Sequence, residues 1–224
     1  MLKGFSTILL DMNGTFMFGH DRFGDAENYG AYFKEIGGSL PEAEAQRIVH
    51  QVFNYLEPLY PDPEYRECFP SIETALRVVL HEEAVSLLDR QRLIATFAHH
   101  ECGTIPTEYR EALFALASRF QIGLVADIWA PRQRWLEEFE LAGVRTVFKA
   151  MSFSSDHGVV KPSPKPFLRV LRALGGDPAK TVVIGDSVRR DLGGATAAGL
   201  TGILVGRKEN LASVATAKSL LELL

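Results

Sequence analysis

Short continuous apolar runs alternate with segments of helical periodicity along most of the chain. The first run, Ser6 to Met12, carries Asp11 near its end, and the chain breaks at Gly14. Unalternated apolar runs of about four to eight residues mark strands buried on both faces, the kind that parallel sheets contain. Similar runs recur at Ile122 to Ala126, Ala150 to Phe153, Thr181 to Ile184 and Thr201 to Val205. Helical patterns lie between and after them. Thr107 to Ser118 is one. Pro131 to Leu141 has proline in its first turn and Gly143 past its end, and Pro164 to Leu174 is closed by Gly175-Gly176. Leu192 to Ala198 and a tail helix at Lys218 to Leu224 complete the set. Strands alternating with helices predict βαβ units, a parallel sheet and right-handed crossovers.

From Asp25 to Gly103 the pattern is helical throughout, with no convincing buried strand. A helix is expected from Asp25 to Ile36, closed by Gly37-Gly38. Ser39 with Glu42 has the form of a capping box. It precedes Ala45, Ile48, Val49, Val52, Phe53 and Leu56 at helical spacing. Pro58, Pro61 and Pro63 begin a stiff loop. Ser71 is placed to cap a helix with Ile72, Ala75, Leu76 and Val79 on one face. A fourth helix runs from Val85 to His99 with Leu87, Leu88, Ile94 and Phe97. The sheet pattern is therefore interrupted, after its first strand, by an all-helical insert the size of a small domain.

With 46% hydrophobic residues in 224, the chain has ample material for a core. A formal net charge of −4 leaves no global basic footprint, so a nucleic-acid partner is not expected. Cys68 and Cys102 form no CxxC and suggest no disulfide framework. With no secretory pattern and no long apolar run, no membrane association and a cytoplasmic setting are expected.

The polar residues that follow strands carry the chemistry. Asp11 lies at the carboxyl end of the first, Ala126-Asp127 follows the Ile122 strand, Gly158 to Pro162 the short strand at Ala150, and Gly185-Asp186-Ser187 with Asp191 the Thr181 strand. In open α/β sheets such residues meet at the carboxyl ends of the strands. Crowded carboxylates raise one another's pKa unless a cation sits among them. A hard divalent ion such as Mg²⁺, with Lys161 balancing the remaining charge, resolves that conflict.

In this order the motifs Asp11-Met12-Asn13-Gly14-Thr15, Ala126, Lys161-Pro162 and Gly185-Asp186-Ser187 with Asp191, extended by Gly194-Ala195 and Ala198-Gly199, carry a resemblance. Over nearly its whole length the chain resembles the haloacid dehalogenase-like hydrolase superfamily. The insert resembles the helical cap of phosphoglycolate phosphatase- and β-phosphoglucomutase-like members. The resemblance implies a Rossmann-like α/β core at residues 1–18 and 104–224 and an all-helical cap at 19–103. It implies Asp11 as a nucleophile forming an aspartyl intermediate, and Lys161 as the group that fixes it and the transferring charge. It implies Mg²⁺ held by Asp11, Asp186 and the backbone carbonyl of Asn13, with Asp191 as a direct or water-mediated ligand. Gly14, Thr15, Ala126, Asp127 and Ser187 are then placed around the substrate, Ser187 by positioning its loop. A small phosphorylated metabolite is the implied partner, and the chain is expected to be a monomer or homodimer.

Two positions depart from that pattern. Phosphatases of the family carry aspartate at the position of Asn13, where it protonates the leaving oxygen and then activates water; an amide cannot cycle a proton in that way. Ala126 stands where a serine or threonine hydroxyl is usual, and Asp127 beside it adds negative charge. Three readings follow: a Mg²⁺-dependent phosphohydrolase with weak or atypical acid–base catalysis, a non-catalytic protein that binds a ligand or partner, and a metal-independent 2-haloacid dehalogenase. Other polar and aromatic residues have plainer readings: His99-His100 as a packed or solvated pair, His20 and Arg22 as exposed turn residues, and Phe16, Phe18 and Phe23 as packing between cap and core. Trp129 either packs or lines a pocket.

Overall fold

The computed structural model describes residues 1–24, 26–81, 83–206 and 215–224. Its sheet comprises β1 (Thr7–Leu10), β2 (Gln121–Ala126), β3 (Phe148–Phe153), β4 (Thr181–Gly185), β5 (Thr201–Leu204) and β6 (Ala215–Thr216), in the order β3-β2-β1-β4-β5-β6. Every pairing is parallel. β1 is central, with Ile8 opposite Ile122 of β2 on one side and Val182 of β4 on the other. Strand order reverses direction there, which places a crevice beyond the ends of β1 and β4.

The pleat divides the core between two faces. Ile8, Leu10, Ile122, Leu124, Val182 and Ile184 join one cluster with α5 (Thr107–Ala117) and α6 (Gln133–Leu141), where Leu113, Leu116, Trp135 and Phe139 are buried. Leu9, Val125 and Val183 face Phe167, Val170 and Leu171 of α7 (Pro164–Leu174) and Ala195 of α8 (Gly193–Ala197). Both faces of the strands are covered, which is why their sequences read as unbroken apolar runs.

Among the described residues, four α-helices lie between β1 and α5: α1 (Tyr29–Glu35), α2 (Glu42–Leu56), α3 (Ile72–Leu80) and α4 (Leu87–Glu101). They bury one stripe each, led by Tyr29 and Phe33, Ile48 and Val52, Ala75 and Leu80, and Leu93 and Phe97. Where the chain leaves and re-enters the sheet region, Phe18 and Thr104 exchange two backbone hydrogen bonds, each 2.9 Å. Arg22 fastens the same place, donating to the carbonyls of Gly19, His99 and Cys102.

Several local expectations are revised. The first insert helix starts at Tyr29 under an Asn28 cap; Asp25, where it was expected to begin, lies outside the described residues. Ser39 does not cap α2, which starts behind Pro41. Its N–H and hydroxyl instead donate to Asp89, at 2.9 and 2.5 Å, supplying hydrogen bonds to a carboxylate with little exposure to water. Leu87 and Leu88 are exposed, because the buried stripe of α4 runs through Leu93 and Phe97. The helix expected from Leu192 to Ala198 is present as α8, Gly193–Ala197, and an unexpected π-turn, Val188–Leu192, leads into it. The tail forms a 3₁₀ turn, Leu220–Leu223, and β6 carries no pattern long enough to read.

Candidate active site

β1 ends at Leu10, and the next residue stays in the sheet: the Asp11 N–H donates to the Ile184 carbonyl of β4 at 2.9 Å. That bond fixes a buried carboxylate at the crevice. Its Oδ2 accepts from Thr15 Oγ1 at 3.0 Å, and its Oδ1 from Lys161 Nζ at 2.5 Å. The same ammonium donates to Asp191 Oδ1 at 2.7 Å, and Asp191 Oδ2 accepts the Ser187 N–H at 3.0 Å. Lys161 is 3% exposed and Asp191 1%, so the bridge is sealed from solvent.

Asp186 completes the cluster. Oxygens of Asp11, Asp186 and Asp191 lie within 4.8 Å of one another. Asp186 Oδ1 is buried with no hydrogen-bond partner among the described residues, and so is Asn13 Oδ1. Gly14 makes room for this arrangement. Its φ is +74°, and a Cβ there would sit 2.3 Å from Asp186 Oδ2. Gly185 does the same for Asp191, whose Cγ would lie 2.4 Å from a Cβ. These two glycines are therefore dictated by packing against carboxylates.

Three carboxylates share one ammonium, and their charge balance shows it. Burial, then the neighbouring Asp11, raises Asp191 to about 7 and also raises Asp186. Burial works against the Lys161 charge, but Asp11, Asp191 and Asp127 overcome it and hold the ammonium well above its usual value. The cluster as it stands lacks positive charge.

A cavity of about 270 Å³ opens beside Asp11 and Lys161. Asn13, Asp127 and Trp129 line it from the sheet side, with His20, Asp21, Phe53, Glu57, Tyr60 and Glu101 from the segment between β1 and α5. Glu101, the last residue of α4, accepts the Trp129 and Ala130 N–H groups at 2.5 and 2.9 Å. Burial, then nearby Asp21, raises its carboxyl well above the ordinary range against the pull of those two bonds. Trp129 thus both packs and lines: Phe53, Tyr60, Phe69 and Phe97 all lie against it.

Asp127 is not a loose negative charge. Its Oδ2 accepts from Tyr60 Oη at 2.7 Å and from the Lys161 N–H at 3.0 Å, so it ties the helical segment to the lysine loop. Gly14, Thr15, Ala126 and Ser187, expected around the substrate, are not among the residues that line the cavity. Thr15 orients Asp11, Ser187 Oγ accepts the Arg190 N–H at 3.2 Å, and Ala126 is 2% exposed at the end of β2. Arg22 is spent on carbonyls, and His20 lies 3.6 Å from Asp21. His99 stacks on Tyr32 at 3.7 Å and His100 Nδ1 meets the Thr96 carbonyl, so that pair is packed away from the cavity. Tyr60, Glu101 and Arg190 are wall residues that the sequence reading passed over. The one available signal was the cation doublet Arg189-Arg190 set between two acids of a single motif.

A family model described as haloacid dehalogenase-like hydrolase matches residues 5–199. The chain is 31% identical over 140 residues to a phosphoserine phosphatase of Thermus thermophilus, covering 62% of this chain and 55% of that protein. It is 34% identical over 88 residues to a glyceraldehyde 3-phosphate phosphatase of Methanopyrus kandleri, covering 39% and 37%. The chain spans between 18% and 55% of the length of the curated relatives it matches. The crystal structure of a 2-haloacid dehalogenase from Pseudomonas syringae superposes with a TM-score of 0.66 at 21% identity, covering 98% of this chain and 96% of that one. That likeness is one of fold.

Proposed function

The chain belongs to the haloacid dehalogenase-like hydrolase family, and from that premise we propose that it is a Mg²⁺-dependent phosphohydrolase acting on a small phosphorylated metabolite through an aspartyl-phosphate on Asp11. One observation carries the reading. Asp11 is held by Lys161 and Thr15 at the wall of a cavity, with an unpartnered Asp186 oxygen beside it.

The donor set fits Mg²⁺: three carboxylates with oxygens within 4.8 Å, one of them buried without a partner, and too little positive charge. Asp11, Asp186, Asp191 and the backbone carbonyl of Asn13 would hold the ion. When bound, it would neutralise charge on the phosphoryl oxygens. The remaining chemistry belongs to the chain. Asp11 attacks phosphorus and the bond to the leaving oxygen breaks; water then attacks the acyl phosphate and frees Asp11 and phosphate. Lys161 steadies the nucleophile and the equatorial charge. Asn13 cannot lend a proton to the leaving oxygen, so the favoured substrates have leaving groups that depart as stable anions. The helical segment, residues 19–103, acts as the cap that excludes water and presents Phe53, Tyr60 and Glu101 to the substrate.

The test is turnover of an aryl phosphate by the full chain, with Mg²⁺ and with chelator, alongside Asp11→Asn. Weak, chelator-sensitive turnover that vanishes in Asp11→Asn is expected. Turnover that survives Asp11→Asn removes the nucleophile assignment. Halide release from a 2-haloacid that ignores chelator points to dehalogenation, and silence in both assays beside a tight protein partner points to a binding protein.

A further inference from the structure

Among the cations on the cavity wall, one has no ion-pair partner among the described residues. Lys161 Nζ is consumed by Asp11 and Asp191. His20 leans on Asp21. Arg190 has no carboxylate within 4.0 Å among the described residues, although Asp191 is next to it in sequence and Asp11 and Asp127 share its cavity. We propose that the Arg190 guanidinium binds the anionic phosphoryl group of the ligand beside Asp11, and that Tyr60 holds it in place to do so. The site is the one described above; the phosphoryl-transfer reading supplies only the identity of the anion.

The local backbone explains why the two neighbours separate. Residues 188–192 form a π-turn capped by Ser187. Asp191 is buried against Lys161, while Arg190 lines the cavity. Its Nη1 donates to Tyr60 Oη at 3.2 Å, and its Cζ lies 5.5 Å from the Tyr60 ring centre. A neutral phenol is a weak partner for a guanidinium that has carboxylates nearby. Tyr60 is itself fixed, since its hydroxyl donates to Asp127. The result is a planar fork held off the carboxylates, with donors left over for a tetrahedral anion. Ala126, at the end of the neighbouring strand, offers only a methyl group, so no side-chain donor competes there.

The geometry also couples the anion site to the helical segment. Tyr60 comes from the turn after α2, and Arg190, Asp127 and Lys161 come from the sheet loops. Its hydroxyl touches two of them, and Asp127 passes the contact to the third. A helical segment that withdraws Tyr60 releases Arg190 to the carboxylates and closes the anion site.

The experiment is calorimetric titration of the full chain with inorganic phosphate in the presence of Mg²⁺, with aryl-phosphate KM and kcat measured on the same proteins. Arg190→Ala should weaken phosphate binding about 10- to 100-fold and raise KM similarly, the worth of hydrogen bonds to a charged group. Arg190→Lys should recover part of the loss, Tyr60→Phe should lose less than Arg190→Ala, and exposed Arg189→Ala should bind as the wild type does. Phosphate affinity unchanged in a folded Arg190→Ala protein overturns the proposal, as does a wild type that binds no phosphate. Tyr60→Phe matching Arg190→Ala, with no recovery in Arg190→Lys, assigns Arg190 a packing role and also overturns it. If phosphate binds through Arg190 but nothing is hydrolysed, the hydrolase reading fails and this one stands. If esters are hydrolysed and Arg190→Ala changes neither KM nor phosphate affinity, the reverse holds.

Discussion

The sheet edge and the helical segment are built to different tolerances. At the edge, residues are matched to particular neighbours. Gly14 is glycine because Asp186 is there, Gly185 because Asp191 is there, and Lys161 serves two carboxylates at once. The helices between β1 and α5 rely on redundancy: Ile48, Val52, Leu80, Leu93 and Phe97 fill a shared interior in which volume matters more than identity. Among the described residues, Phe53 and Glu101 of the helices and Glu57 and Tyr60 of the turn after α2 line the cavity, with His20 and Asp21 from the connection that precedes the helices. Chemistry concentrates at the edge, and stability is spread through the helices.

On that contrast, substitutions of the polar side chains at the edge change turnover and leave the melting temperature nearly alone, variants inside the helices do the opposite, and a glycine packed against an edge carboxylate registers in both. Asp11→Asn should lose turnover on the order of 10⁴-fold or more, as loss of a covalent nucleophile does elsewhere, with secondary structure intact by circular dichroism. Asn13→Asp should raise turnover of an alkyl phosphate by about 100- to 10,000-fold, the usual worth of a positioned acid and base. No gain, with Mg²⁺ still binding, moves the bottleneck to Ala126 or to the cap. Leu80→Ala should cost about 2–5 kcal/mol in denaturant unfolding and leave kcat per folded molecule unchanged; a matching fall in kcat would erase the contrast. Gly14→Ala tests the border between the regions. Its positive φ and the contact with Asp186 should cost about 1–3 kcal/mol and weaken Mg²⁺ binding, read by calorimetry. The smallest effect concerns pH. Burial and neighbouring His100 lower His99 from 6.5 to about 4. The unfolded chain therefore takes up the proton first, and the stability contributed by neutral His99 is lost as pH falls from about 6.5 toward about 4. His99→Phe, which keeps a ring against Tyr32, should flatten that part of the stability profile; an unchanged slope removes His99 from it.

The same contrast decides what was legible beforehand. β1, β2 and β4 could be read because strands covered on both faces carry uninterrupted apolar runs, and the polar residues after them mark the edge. Asp11, Lys161, Asp186 and Asp191 followed from that rule, and the structure brings all four together. Tyr60 could not be found so. It sits in a proline-rich turn whose sequence says only that a helix has ended, and its value comes from two partners far along the chain. Arg190 was passed over because nothing in its sequence context announces the π-turn that brings it to the cavity wall. Ser39 was misread because a side chain preferred a distant buried carboxylate to its own helix. Leu87 and Leu88 were misread because two adjacent leucines cannot both follow a stripe that Leu93 and Phe97 define.

The paired backbone bonds between Phe18 and Thr104 give the molecule a topological economy. The two ends of the helical segment meet where a tight turn would otherwise join β1 to α5, so the sheet is wired as though residues 19–103 were a single loop. Loop-closure entropy grows only with the logarithm of length, about 0.6 kcal/mol per doubling, so expanding a turn of a few residues to this size costs about 3 kcal/mol. One or two buried side chains of the segment's own interior offset that. The sheet can therefore host a long passenger at the doorstep of Asp11 with little thermodynamic penalty, and this leaves the passenger's inner surface open to variation while the strand ends stay as they are.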